Sequence, residues 1–424
     1  MKIISLSNVK LNIRNYVLFT MYSAPLIDLL NGLIGDVVPI GKITRPCLLL
    51  LNLVFAFCHV PKSLKQKNFT IVLIVIYIIA QSLIIEALFS GNTLTHNLNF
   101  DMKVILFLSE MLLIMNCIER QTITYADIEK FWKFSCWFVP ASLIGAKVLN
   151  IANALLDTKA GLYASINAMS IIFVMQFTLS IYYAEKKFIY WGAVLLNIIA
   201  AALLGTKSPY LFMTAVVIAL LFFYSRHRIR LLVLMLLGGI VAYVLLGSFF
   251  ADKMAPLIEY QKHNLALVMN NSNTLWGYLT SGRNIMLQNA WNSIADSSLA
   301  FGAVFFGIGH SPLSGIEMDF FEILFSFGIV ITAMIYYVIL GAFRWKSVDK
   351  TSCLFLNLAL VCMLAAGTLG GHTLLEAIAG TYSAILLGYK YSLKRKHVYR
   401  MKMDKRSCSQ GDNSEEIKYL HNNV

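Results

Sequence analysis

Three acidic side chains lie close together where a polar stretch of the chain meets an apolar segment. They are Glu317, Asp319 and Glu322, in the sequence GIEMDFFEIL. Asp319 and Glu322, at spacing i, i+3, share one face of a helix. Burial among like charges raises the pKa of a carboxyl group until it can act as a general base on a hydroxyl. The alternative is structural: these acids pair with bases such as Lys207 or Arg283 and fix the loop.

Two basic residues could bind a phosphate at the same place. Lys207 lies in GTKSPYL, between two apolar segments with almost no linker, and Arg283 lies in SGRNIMLQNAW. A guanidinium group binds phosphate through two parallel hydrogen bonds, and an ammonium group binds it as a point charge. The competing interpretations are that Lys207 extends to phospholipid head groups and that Arg283 is a solvated cation at a helix end.

Two histidines and one tryptophan complete the candidate set. His310 follows the turn FGIG, and the ordinary histidine pKa near neutrality makes it a rival for the general base, although a loop histidine is often only a polar surface residue. His372 and Glu376, in HTLLE, are spaced i, i+4, which predicts one helical face at the end of the last apolar segment. Too few ligands accompany them for a metal site, so no metal or cofactor is expected. Trp291, Glu322 and His372 are candidates for contacts with a sugar.

The composition predicts that a bundle of membrane-spanning helices positions these residues. Hydrophobic residues make up 58% of the 424, charged residues 13%, and the mean hydropathy is +0.68, values too apolar for a soluble protein. Apolar segments long enough to cross a bilayer recur about twelve times. Their approximate centres are Ile27, Leu53, Ile76, Leu108, Leu143, Phe173, Leu196, Ile218, Gly239, Met334, Leu360 and Ser383. The predicted fold is an all-α polytopic membrane protein.

The distribution of basic residues orients this bundle. The net charge is +13, but the basic residues are spread over loops and are not gathered on one folded polar domain, which argues against nucleic-acid binding. Counting spans from a cytoplasmic N-terminus places most of these loops on one side, the pattern of cytoplasmic loops. Both termini are therefore predicted in the cytoplasm. Residues 1–393 are predicted as one transmembrane domain, and the basic and polar tail 394–424 as disordered.

The same count places the polar stretch 251–319 outside, as a large external loop that contains short helices. Its first part has an amphipathic pattern and is predicted to lie on the membrane surface. Apolar residues at helical spacing between positions 285 and 294 then predict a helix with one buried face, Ser281 as N-cap and Arg283 in the first turn. A turn rich in glycine and proline re-enters the membrane at Glu317.

In their order along the chain, these features resemble the O-antigen polymerase and O-antigen ligase superfamily of bacterial envelope proteins. The resemblance rests on about a dozen spans, on GTKSPYL between two of them, and on an outer loop with SGRNIMLQNAW, FGIGHSP and IEMDFFEILFSFG. It covers the chain from Leu196 to Val338. Its strength lies in the order of the motifs, since no single motif is specific.

The resemblance implies a multi-pass membrane glycosyltransferase of the bacterial inner membrane. Such an enzyme moves a growing glycan from undecaprenyl pyrophosphate to the next lipid-linked repeat unit, which builds O-antigen or a related surface polysaccharide on the periplasmic face. The resemblance also implies that Lys207 and Arg283 bind the leaving pyrophosphate without a metal, and that Glu317, Asp319 or His310 orients or deprotonates the acceptor hydroxyl. The expected partners are undecaprenyl-pyrophosphate-linked oligosaccharide, membrane lipids and a chain-length regulator.

Three other functions stay open. The ligase branch, which transfers glycan to lipid A core, commonly carries a histidine and an asparagine where this chain has Glu317 and Asp319. That difference favours the polymerase, and His310 keeps the ligase open. A flippase for lipid-linked oligosaccharide more often shows related halves and charges spread through several spans. A structural or signalling membrane protein would tolerate alanine at Arg283 and Lys207.

Overall fold

The computed structural model describes most of the chain apart from its ends and several connecting segments. The described residues are 9–34, 40–58, 60–89, 94–149, 163, 165–204, 206–223, 233, 236–237, 240, 277, 280, 282–295, 300–309, 316–345, 349–369 and 371–409. Every element of more than one residue within these ranges is a helix, which confirms the all-α prediction. The predicted span centre at Gly239, most of the stretch 251–319 and His310 lie outside these residues.

The helices follow one another with short connections, and we number them in chain order. They are α1 (Val9–Ile34), α2 (Ile40–Cys58), α3 (Lys65–Phe89), α4 (Leu94–Glu119), α5 (Tyr125–Val148), α6 (Ile166–Ala184), α7 (Tyr190–Leu204), α8 (Lys207–Phe223), α9 (Arg283–Ala295), α10 (Ala300–Phe306), α11 (Asp319–Leu340), α12 (Lys350–Leu369) and α13 (Ala377–Ser409). Short 3-10 helices precede α3 (Lys62–Leu64) and follow α11 (Gly341–Arg344).

Six stretches of the described chain are long and apolar enough to cross a membrane, and they fall on α1, α2, α3, α6, α11 and α12. The helices α7 and α8 are also apolar but have only 15 and 17 residues. The helices α4, α5 and α13 carry several charged residues. The chain therefore has the helices of a membrane protein, in agreement with the class predicted from composition.

The helices α4 and α13 form the centre of the bundle. They pack along each other, and α2 and α3 pack on α4. Gly388 of α13 lies so close to α4 that a Cβ at this position would be 2.4 Å from Ile114 Cγ2, and small residues permit such close contacts between membrane helices. On the other side, α6 is surrounded by α5, α7, α8 and α12. For this reason even Gln176 of α6 is buried, and it donates a hydrogen bond to Ser135 of α5 at 2.6 Å.

Ion pairs distinguish one end of the bundle, which we call the basic end. At this end Arg14 binds Asp127 (2.8 Å) and Arg395 binds Glu119 (2.9 Å). The helix α11 ends there and α12 begins there. The opposite end, where α11 begins at Asp319 and α12 ends, is the Asp319 end. The residues that the sequence singled out for chemistry lie mainly at the Asp319 end.

The last helix is longer than the sequence predicted. The sequence predicts a disordered tail from residue 394, but α13 continues to Ser409. Lysine and arginine, which are common from residue 394 onward, are good helix formers. No glycine interrupts this charged part of the sequence before Gly411. The ion pair between Arg395 and Glu119 also holds this part of the helix against α4. Residues 410–424 lie outside the described part of the chain.

Candidate active site

Three side chains from two segments that are distant in sequence meet at the Asp319 end. Asp319 and Glu322 lie in the first turn of α11, as their spacing predicts, and His372 lies between α12 and α13. The Nδ1 atom of His372 is 3.2 Å from Asp319 Oδ1 and 3.6 Å from Glu322 Oε2. We call these three residues the His372 cluster.

Asp319 ties the first turn of α11 to the segment that follows α12. Its side chain is fully buried, and Oδ2 accepts hydrogen bonds from Thr373 N (2.6 Å), Thr373 Oγ1 (2.7 Å) and Leu374 N (2.7 Å). Gly367 of α12 leaves the space for this contact, because a Cβ there would lie 3.1 Å from Asp319 Oδ2 and 2.6 Å from Thr373 Oγ1. The Asp319 carboxylate is thus engaged with the protein itself.

The segment 371–376 differs from the prediction. The sequence predicts His372 and Glu376 on one helical face, but α13 begins only at Ala377 and the segment is not helical. That prediction is wrong because Asp319 binds two backbone N–H groups of this segment, and such side-chain bonds compete with helical hydrogen bonds. Glu376 lies instead 3.7 Å from Lys103 of α4.

Glu322 has two carboxylate oxygens in different surroundings. Its Oε1 accepts a hydrogen bond from the backbone N–H of Glu317 at 2.9 Å, which satisfies a donor at the start of α11 as the acid of a capping box does. Met318, at the N-cap position, makes no side-chain hydrogen bond. Among the described residues, the buried Oε2 atom has no hydrogen-bond partner, and it lies 3.6 Å from His372 Nδ1.

His372 supplies the positive charge of the cluster. Burial disfavours its charged form, but the hydrogen bond to Asp319 and the negative charges of Asp319, Glu322 and Glu376 outweigh burial and raise the pKa of His372 from 6.5 to about 9. At neutral pH His372 is therefore an imidazolium that faces the buried carboxyl groups of Asp319 and Glu322. The ligand atoms of the cluster lie within 4.8 Å of one another, near enough for a metal ion. The proton on His372 and the hydrogen bonds to Asp319 compete with such an ion.

A second ion pair, between Arg283 and Glu317, lies next to the cluster. Arg283 begins α9, and both its Nε (3.1 Å) and one terminal nitrogen donate to Oε2 of Glu317. The Arg283 side chain is 15% exposed and that of Glu317 43% exposed. Glu317 has a φ of 52°, a left-handed conformation that is uncommon outside glycine. The backbone N–H of Glu317 is the one that Glu322 binds, so the two acidic groups are linked.

Glycines on both sides of the contact allow the turn after α10 to pack closely against α11. Gly307, with φ +78°, and Gly309 form a turn whose backbone pairs with α11, with Ile308 N donating to Phe325 O at 2.9 Å. A Cβ on Gly307 would lie 2.1 Å from a carbonyl oxygen of α11, and a Cβ on Gly328 would lie 2.1 Å from Phe305 O. Gly328 interrupts α11 with φ 79° and ψ 168°. Only glycine fits at these close approaches.

The helix α9 forms where the sequence predicted it, with Arg283 in its first turn, but only part of the predicted face is buried, and the N-cap predicted at Ser281 lies outside the described residues. Ala290 and Ile294 are buried in a small apolar cluster with Ile316 and Met318, so the buried face of α9 holds Arg283 beside the start of α11. Trp291 lies outside this cluster: its side chain is 49% exposed and its ring centroid is 6.1 Å from that of Phe325. The exposed indole leaves a flat apolar surface beside Phe325 of α11.

Lys207 lies at the same end of the bundle on a separate turn. It begins α8, and the Oγ1 atom of its neighbour Thr206 lies 2.7 Å from Oγ of Ser170, near the start of α6. A Cβ on Gly371 would be 3.9 Å from the next residue of α6, Ile171. The start of α8 and the His372 cluster are therefore connected through the start of α6.

Several residues of the site escaped the sequence analysis. Thr373 gives Asp319 two of its hydrogen bonds, and Lys103 faces Glu376. No motif or spacing in the sequence pointed to either residue. Gln81 of α3 donates to the carbonyl oxygens of Phe306 and Ser326, both at 2.6 Å, and locks the glycine turn onto α11. Thr373 adjoins His372 in sequence, which was the one available signal.

No known protein family matches the chain, and no curated protein sequence matches it.

Proposed function

We propose that the chain is a membrane glycosyltransferase that polymerises undecaprenyl-pyrophosphate-linked oligosaccharide units into O-antigen or a related surface polysaccharide. The observation that carries the proposal is the Arg283–Glu317 ion pair beside the His372 cluster, at one end of apolar helices. A guanidinium group suits a pyrophosphate, and a half-exposed carboxylate suits a hydroxyl proton. The order of motifs along the sequence supports the same reaction.

In the proposed reaction, a hydroxyl oxygen of the acceptor unit attacks the anomeric carbon of the growing chain. The bond between that carbon and the pyrophosphate oxygen breaks, and undecaprenyl pyrophosphate leaves with the electron pair of this bond. Arg283 and Lys207 neutralise the charge that develops on the leaving group. The hydroxyl proton goes to a carboxylate of the enzyme.

Glu317 is the acid best placed to take this proton. Its side chain is 43% exposed, whereas those of Asp319 and Glu322 are 0% and 2% exposed and bind within the protein. In the present arrangement Arg283 occupies Oε2 of Glu317. A phosphate that binds Arg283 displaces this carboxylate and frees it to act as the base. His310, the other candidate base, follows the glycine turn in sequence.

The proposal includes an orientation in the bacterial inner membrane. The Asp319 end faces the periplasm and the basic end the cytoplasm, as the distribution of lysine and arginine in loops favours. About twelve spans, an external loop 251–319 and two cytoplasmic termini belong to the same proposal.

The test is a complementation experiment in a strain that depends on this protein for its surface glycan. Arg283→Ala and Lys207→Ala should each abolish long glycan chains while lipid capped with a single unit remains. Arg283→Lys should restore the chains only in part, because an ammonium group lacks the two-pronged geometry. Lys187→Ala is the matched control, since this exposed lysine lies at the end of α6 away from the site, and should give wild-type chains.

Other outcomes assign other functions. Wild-type chain lengths in both alanine variants would refute the role of the two cations. Accumulation of lipid-linked units on the cytoplasmic side of the membrane would indicate a flippase. Polymer that forms normally but is not transferred to lipid A core would indicate the ligase.

A further inference from the structure

Two lysines at the basic end of the bundle share one pair of aromatic rings. The rings belong to Trp345, which follows the 3-10 helix after α11, and to Tyr391 of α13, and their centroids are 5.1 Å apart. The ammonium group of Lys67, in the first turn of α3, lies 5.2 Å from the Trp345 centroid and 6.0 Å from the Tyr391 centroid. That of Lys394 lies 5.7 and 5.5 Å from the same two centroids. We call these four residues the Trp345 cluster.

The protein holds both rings of the cluster in place. Trp345 and Tyr391 are buried, and the Tyr391 hydroxyl donates a hydrogen bond to Glu119 Oε2 at 2.6 Å. An ammonium group over an aromatic ring is attracted by the negative charge of the ring face. This attraction positions each lysine, while the three N–H groups of its ammonium group can still donate hydrogen bonds.

The two lysines of the cluster have no acidic partner among the described residues. Neither Lys67 nor Lys394 forms an ion pair or a hydrogen bond there, whereas their neighbour Arg395 binds Glu119 at 2.9 Å. The negative charge of Glu119 also acts on Lys67, but the positive charge of Lys394 opposes it. Two ammonium groups held over the same rings repel each other. A negatively charged ligand between them would remove this repulsion.

Exposed apolar side chains lie beside the cluster on the outside of the bundle. The helices α3 and α11 are in contact. Near the basic end α3 exposes Phe69 and Leu73, and α11 exposes Tyr337 and Leu340. Such side chains face the acyl chains of the membrane when a helix spans it. A ligand at the cluster therefore meets positive charge at one end and an apolar surface along its length, which fits a lipid and not a free ion.

We propose that the Trp345 cluster binds the phosphate of an acidic phospholipid, with Lys67 and Lys394 as donors to the phosphate oxygens. The acyl chains of this lipid lie on α3 and α11. An acidic head group balances the two cations, whereas a zwitterionic head group brings a cation of its own. On the proposed orientation the basic end faces the cytoplasmic leaflet, where basic pockets between spans bind acidic head groups. The inference uses that orientation and none of the proposed chemistry.

The experiment measures lipid binding to the full-length protein in micelles of a nonionic detergent. Radiolabelled phosphatidylglycerol is titrated into these micelles, and phosphatidylcholine is the zwitterionic comparison. We expect saturable binding of phosphatidylglycerol and an affinity for phosphatidylcholine that is lower by about tenfold or more. Lys67→Gln and Lys394→Gln should each weaken the binding of phosphatidylglycerol about fivefold. Lys394→Arg, which keeps the positive charge, should bind as the wild type does.

The matched control is the double variant Lys62→Gln/Lys65→Gln. Both lysines are exposed at the same end of the bundle, and the variant loses as much charge as Lys67→Gln/Lys394→Gln. The control should keep the wild-type affinity for phosphatidylglycerol, whereas the cluster variant should lose about thirtyfold.

Three results would overturn the site. The first is equal affinity of the wild-type protein for the two lipids, a comparison that does not depend on whether any variant folds. The second is an equal loss of affinity in the control and the cluster variant, which would show that net charge alone attracts the lipid. The third is displacement of the lipid by an equal concentration of inorganic phosphate, which would show that the cluster binds a free anion.

Discussion

The raised pKa of His372 predicts how the free energy of unfolding depends on pH. The folded protein raises the pKa of His372 from 6.5 to about 9, and a pKa unit is worth about 1.4 kcal/mol, so the imidazolium contributes about 3 kcal/mol to folding. Because the folded-state pKa lies above the unfolded value, the contribution is complete below pH 6.5 and is lost as the pH rises through 9. The side chain is only 19% exposed, so solvent screens little of this interaction.

The substitution His372→Gln tests the contribution of the imidazolium to stability, because glutamine keeps a hydrogen-bond donor but cannot become charged. We expect the wild-type protein in detergent to lose about 3 kcal/mol more than the variant between pH 6.5 and 9.5, a difference on the order of 5 °C in melting temperature. The variant should be the less stable of the two at pH 6.5, because the buried carboxylate of Asp319 loses its cationic partner.

The control for this measurement is His397→Gln, a histidine on the distal half of α13, which should keep the wild-type pH profile. A His372→Gln protein whose melting temperature falls with pH as steeply as that of the wild type would refute the assignment of the charge to His372. So would a variant with wild-type stability at pH 6.5.

Two further substitutions test the site and its support. Glu317→Gln should change the free energy of unfolding by no more than about 1 kcal/mol, since its ion pair with Arg283 is partly exposed. The same variant should stop chain growth in the complementation strain. Long chains in this variant would exclude Glu317 as the base. Gly328→Ala should destabilise the protein by about 3 kcal/mol or more, because an alanine Cβ would clash with Phe305 O and the φ of 79° suits glycine alone. The control is Gly302→Ala, which has open space around the position and should stay within about 1 kcal/mol of the wild type. Equal melting temperatures of the two variants would contradict the close approach of Gly328 to Phe305.

Local patterns in the sequence identified what depends on local structure. The apolar segments predicted the helices, and the spacing of Asp319 and Glu322 placed both on the first turn of α11. The apolar spacing in α9 gave the buried face that carries Arg283 to the site. These predictions succeed because a helix fixes the relative positions of residues three and four apart.

Contacts between distant segments could not be read in the same way. The start of α13 was predicted too early because the sequence HTLLE has helical spacing, while a carboxylate more than 50 residues earlier takes its backbone donors. Nothing in the sequence near Gly367 indicates that its missing side chain makes room for Asp319.

The charges at the Asp319 end indicate how a pyrophosphate could enter. Of the cations paired there, His372 binds the buried Asp319, and Lys103 lies near Glu376. Arg283 alone among these three is held by a carboxylate that is 43% exposed, so exchanging that carboxylate for phosphate leaves no buried charge without a partner. The exchange would release Glu317 at the moment when a hydroxyl proton must be accepted. On the proposed function, substrate binding and activation of the base are therefore one event, and Glu317→Gln should bind lipid pyrophosphate more tightly while it fails to transfer the glycan.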